Sequence, residues 1–95
     1  MKKTDKNING VLSHGVIFSS SVSNLIKRLG TPTIENNCDR EEIKYAWNME
    51  TEKGVLFMVS NSRYKYRLEL DDIISWVIFT KEKKESIIIR DELIK

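Results

Sequence analysis

The stretch "EIKYAWNMET", residues 42–51, alternates with period two and puts Ile43, Tyr45, Trp47 and Met49 on one face, Lys44, Ala46, Asn48 and Glu50 on the other. A strand with one aromatic, apolar face cannot stand in water, so the rest of the chain must supply neighbours in its plane and a cover for that face. The neighbours are legible. After "ETEKG", where Gly54 can supply a positive φ, "VLFMV" is apolar on both faces, as suits a central strand, and the two runs read as a hairpin. "SRYKYRLEL" alternates again, with Tyr64, Tyr66, Leu68 and Leu70 opposite Arg63, Lys65, Arg67 and Glu69. "IISWVIFT" is β-branched and aromatic, which favours a fourth strand.

The cover is specified as clearly. In "SSSVSNLIKRLGTPTI", residues 19–34, Val22, Leu25, Ile26 and Leu29 fall at i, i+3, i+4 and i+7 and line one helical face. One of Ser19, Ser20 or Ser21 can cap the start, Gly30 can end the helix, and Pro32 prevents its resumption. Lys27 and Arg28 sit in the last turn, where cations oppose the helix dipole. About two turns of helix are too short to persist alone, so this one must dock on the sheet, with the aromatic residues of the first strand as its bed. In "KEKKESIIIRDELIK" three consecutive Ile favour strand, whereas Ile89 and Leu93 at i, i+4 and a charged first turn favour helix, the reading adopted. The expected fold is therefore α+β: a short N-terminal helix, a four-stranded antiparallel meander, and a C-terminal helix on the same face.

A chain of 95 residues suits one domain, expected over residues 16–95, with 1–15 as a mobile polar tail. A net charge of +2 is small for a dedicated nucleic-acid binder. "MKK" is followed by no apolar run long enough for an export signal, so the chain is expected in the cytoplasm and away from membranes. Cys38 is the only cysteine, which excludes an internal disulfide, and its polar neighbours read as a loop.

Chemistry-bearing residues are sparse. His14 is the sole histidine, and no Cys/His pairing with zinc spacing or glycine-rich phosphate loop occurs, so no catalytic residue, metal site or cofactor is expected. Glu69, Asp71 and Asp72 offer oxygen ligands but read as a solvated turn. Arg63, Lys65 and Arg67 form a cationic stripe with neighbours about 6–7 Å apart along an extended strand. The same pattern also describes a strand with one solvated, charge-protected face.

"LIKRLGTPTI", "KYAWNMETEKGVLFMVSN" and "ISWVIF", taken in order over residues 22–80, resemble a set of small uncharacterised phage-type α+β proteins. Their pattern is a helix, Leu/Phe-Gly-x-Pro, a strand with a central Trp, a Gly-containing turn, an apolar strand and a late Trp strand. Leu29-Gly30-Thr31-Pro32 also resembles the segment after the first helix in outer-membrane assembly lipoproteins and inhibitor-like folds. The chain departs from the phage pattern after Trp76, where "VIFTKE" stands in place of a His and a Gly-Gly turn, and it lacks a lipobox cysteine. The resemblance implies an α+β binding fold in a phage or mobile-element setting with no catalytic residues. Together with the small size and the lack of a catalytic set, it makes a non-enzymatic accessory protein that binds and inhibits a host defence protein the expected function. Arg63, Tyr64, Lys65, Tyr66, Arg67 and Trp76 are the expected partner-binding residues, since Arg and aromatic side chains dominate interfaces. The competing expectation is a nucleic-acid or nucleotide binder using the cationic strand 63–67, and a homodimer fits either, because a meander exposes two strand edges.

Overall fold

The computed structural model describes residues 1–6, 14–36, 44–61 and 68–94. In chain order the elements are β1 (Lys2–Lys3), β2 (His14–Ser20), α1 (Val22–Leu29), β3 (Ile34–Asn36), β4 (Lys44–Glu50), β5 (Leu56–Asn61), β6 (Ile74–Thr80) and α2 (Lys83–Leu93). Among the described residues the strands form one six-stranded sheet ordered β1-β4-β5-β6-β2, with β3 also paired to β4, and each of these pairings is antiparallel.

The α+β class and the hairpin follow the sequence reading. β4 and β5 pair from Glu50↔Leu56 to Ala46↔Ser60, and Gly54 closes the turn with φ 88°. The four-stranded meander does not: the described residues alone form six strands, and β5 pairs directly with β6 (Met58↔Phe79, Val59↔Ile78), with no strand between them in sheet order. Leu68, Glu69 and Leu70, expected at the end of the third strand, lie outside any strand, with Leu68 buried and Leu70 exposed. Arg63, Tyr64, Lys65, Tyr66, Arg67, Ile43 and Cys38 lie outside the described residues.

The added strands come from stretches with weak local signals. β2 pairs with β6 through all seven residues, His14↔Thr80 to Ser20↔Ile74, so His14 and Gly15, expected in the tail, belong to a strand of the sheet. Lys2 and Lys3, expected in a free tail, pair instead with Glu50 and Met49 of β4. Ile34↔Ala46 to Asn36↔Lys44 adds β3 to the same edge.

Both helices lie on one face of this sheet. α1 begins at Ser21, whose Oγ accepts from the Asn24 amide at 3.1 Å, and ends at Gly30, whose φ of 86° suits only glycine. It buries Val22, Leu25 and Leu29, while Ile26 stays 38% exposed at the margin of the stripe. α2 buries Ser86, Ile89 and Leu93. Val22, Leu25, Leu29, Ile89 and Leu93 meet Phe18, Tyr45, Trp47, Met49, Phe57, Val59, Trp76 and Ile78 from the facing strands in a single core.

Two indoles locate α1 on its bed. Trp47 Nε1 donates to the carbonyl of Gly30 at 2.8 Å, and Trp76 Nε1 donates to that of Ser20 at 2.9 Å. The rings meet edge to face with centroids 5.6 Å apart. The sheet thus grips both ends of the helix through adjacent tryptophans. Where β6 hands over to α2, Thr80 Oγ1 donates to the Glu82 carbonyl, so the buried contact between the Thr80 and Ser86 hydroxyls has Ser86 as donor.

Candidate protein-binding surface

The region around the head of α1 is assembled by short polar links. The turn at residues 69–72 closes on itself: the Asp72 amide donates to the Glu69 carbonyl at 3.1 Å, and the Glu69 amide donates to Asp72 Oδ2 at 3.0 Å. It then docks on the helix, because the Ser23 amide donates to the Leu70 carbonyl at 2.9 Å and Ser23 Oγ donates to Asp71 Oδ1 at 2.9 Å. The carboxylate of Asp71 therefore sits at the positive end of the helix dipole. Asp71 and Asp72 act as turn formers, and no group of three or more potential metal-ligating side chains occurs among the described residues.

Held this way, the turn points apolar side chains outward. Ile73 is 69% exposed and Leu70 is 53% exposed. The end of α2 brings Ile94, 56% exposed, to the same region. Ile73, Leu93 and Ile94 join Ser19, Ser20, Asn24 and Arg28 around an open depression of about 260 Å³. Its polar side is ordered: Asn24 Nδ2 donates to Ser20 Oγ at 2.8 Å, and Arg28 donates to Asn24 Oδ1 at 3.4 Å and to the Glu92 carbonyl at 3.2 Å. Exposed Ile side chains beside an oriented arginine and amide combine an apolar contact area with polar groups that fix register.

A larger depression, about 490 Å³, lies between the β4–β5 turn and the start of α2 and is lined by Gly54, Val55, Leu56, Lys81, Glu82, Lys84 and Glu85. Its charges alternate in sign, so it does not focus on one ligand charge. Beside the same β4–β5 turn, Glu50 is nearly buried and paired with Lys6 at 2.6 Å and Lys2 at 4.0 Å. The hydrogen bond from Lys6 holds its carboxyl below the usual range; burial opposes this, and the charges of Lys6 and Lys2 add to it. This is an anchor for the amino terminus.

Trp76, expected among the partner-binding residues, is completely buried, with its indole N–H committed to Ser20. Its role is in the core, not on a binding surface as the sequence suggests. Leu70, Ile73 and Ile94 were not singled out as surface anchors from the sequence: each falls in an apolar pattern that reads as strand or helix core, and only their placement at element ends exposes them. No helix among the described residues is long and apolar enough to cross a membrane. Comparison of the chain with protein-family models, curated proteins and solved structures finds no match in any of the three.

Proposed function

We propose that this chain is a small non-enzymatic binding protein whose ligand is another protein, engaged at the head of α1. The observation that carries this reading is the presentation of Leu70, Ile73 and Ile94, large apolar side chains in water, on a turn and a helix end tied down by named hydrogen bonds. Pre-ordered apolar anchors lose little conformational freedom on binding, which favours affinity. Arg28 and Asn24 supply the polar register beside them. Arg63, Tyr64, Lys65, Tyr66 and Arg67 stay in the proposal on their chemistry, since they run in sequence into the turn at 68–73. The finer reading rests on the resemblance, the small size and the sparse chemistry of the sequence: a phage or mobile-element accessory protein that acts in the host cytoplasm by binding and inhibiting a host defence protein.

Photo-crosslinking side chains placed at position 73, at 94 and, as a control, at 35 on the far edge of the sheet provide the test in host cells. The expected result is one protein captured from 73 and 94 and not from 35, with binding weakened about tenfold or more by Ile73→Asp. Equal capture from position 35 overturns the assignment of the surface. Nucleic acid that copurifies at low salt, is released steeply by added salt and is lost in Arg63→Ala/Arg67→Ala favours the nucleic-acid reading instead.

A further inference from the structure

The two edges of the sheet are built on opposite plans. At one edge, β4 is covered by two short strands, β1 along Met49–Glu50 and β3 along Lys44–Ala46. Lys2, Lys3 and Glu35 stand exposed there. Short strands bearing charge are a recognised means of stopping another chain from adding to an edge. The other edge is β2, "HGVIFSS", seven residues long with no Asp, Glu, Lys, Arg or Pro. Its pairing with β6 is one-to-one along the whole length, so no bulge bends it away, and among the described residues its second side has no partner strand. A long, regular, uncharged strand end to end with unpaired backbone groups is the kind of edge that accepts another strand.

We propose that β2 is the seam of a homodimer, pairing antiparallel with β2 of a second copy about a two-fold axis at Ile17. Two-fold pairing demands that the strand complement itself, and this strand does. Ile17 is its midpoint and a large apolar side chain left 67% accessible on the face away from the helices, so the axis sets it against its own counterpart and covers both. On the helix-bearing face Val16 comes opposite Phe18 of the partner subunit, and Gly15 and Ser19 meet across the axis on the other. Pairs of β-branched and aromatic residues stabilise antiparallel strands, and no pair sets like charges together.

The layer above the sheet accommodates the seam. α2 packs over β2 and β6. With strands about 4.8 Å apart, a helix seated between those two strands lies about 10 Å from its two-fold mate, within the usual range for packed helices. Ile88 and Glu92 flank the depression toward the β4–β5 turn, so the flank of α2 that carries Ile87 is the one turned to the seam. Closing the edge also gives a small core the extra burial that small chains lack.

Light scattering across a concentration series of the full chain reads the result directly. Twice the chain mass, falling to the single-chain mass in Ile17→Lys and unchanged in Ile34→Lys on the guarded edge, is expected. Since Ile17 is largely exposed, the lysine variant keeps its fold, which circular dichroism checks. A second readout does not depend on that variant: I17C in a Cys38→Ser background forms a disulfide-linked dimer under mild oxidation, because the axis sets the two thiols opposite each other, and I34C does not. A single-chain mass at every concentration overturns the proposal. So does a dimer that survives Ile17→Lys, which assigns assembly to another surface, or a mass increase seen only with an added extended peptide, which makes β2 a peptide-binding edge.

Discussion

Trp47 and Trp76 show how much of this fold is carried by individual side chains. Each is fully buried, each donates its N–H to a carbonyl flanking α1, and each packs on the other. Trp76→Phe leaves the Ser20 carbonyl without its indole donor and removes ring volume, a combined cost of about 2–4 kcal/mol. Urea denaturation should show this as a lowered midpoint, with Trp47→Phe similar; a loss within about 0.5 kcal/mol would mean that the indole bonds do not hold the helix. Glu50 makes a second prediction at this scale. Its carboxyl is held below its ordinary value, chiefly by the Lys6 hydrogen bond, so its contribution to stability is present above the unfolded value of about 4.3 and is lost as pH falls through the lower folded value. Wild type should therefore lose stability more steeply than Glu50→Gln below about pH 4. Parallel pH profiles for the two proteins would show that the pair contributes nothing.

At the scale of elements, α1 was the most legible part of the chain because its determinants are local. Apolar spacing, the serine cap, the basic last turn and Gly30 all lie within one short stretch, and the structure uses each of them, selecting Ser21 from three candidate caps. Ser21→Ala should cost about 1 kcal/mol in thermal or chemical unfolding, against a few tenths for Ser21→Gly. Gly30→Ala is strained for a different reason: the space around its Cβ is open, with only the Lys3 side chain at 3.8 Å, but φ 86°, ψ −161° is a region that L side chains avoid, a cost of about 1–3 kcal/mol. Equal stability of the alanine and glycine proteins would mean that the chain relaxes its helix end. α2 resolved the conflict between three isoleucines and helical spacing in favour of the helix. Ser86, Ile89 and Leu93 find a docking face on the sheet, which local propensity cannot report. β2 has no comparable local signal, since its pairing partner β6 lies more than fifty residues away and "GVIF" is too brief to announce a strand.

For the whole molecule, one core joins both helices to β2, β4, β5 and β6, so the described parts should unfold together. Tryptophan fluorescence and far-ultraviolet circular dichroism are expected to give coincident urea transitions, because both indoles sit at the junction of helix and sheet. Separate midpoints would divide the structure into independent units. The candidate binding surface also belongs to this scale: Ile73 of the β5–β6 connection and Ile94 at the end of α2 line one depression beside α1, and the Leu70 carbonyl bonds the first turn of that helix, only after the sheet has set those elements side by side.

What the sequence by itself determined is what depends on neighbours within a few residues: the helix and its caps, the β4–β5 hairpin and its glycine turn, the alternation that turns Tyr45, Trp47 and Met49 to the core, and the scarcity of catalytic residue types. Tertiary structure decided the number and order of strands, the burial of Trp76, the pairing of Lys2 and Lys3 with β4, and the contrast between a guarded and an open sheet edge. These depend on contacts between distant stretches, whose free energy comes from shared burial and sheet hydrogen bonds that no single stretch of the chain possesses.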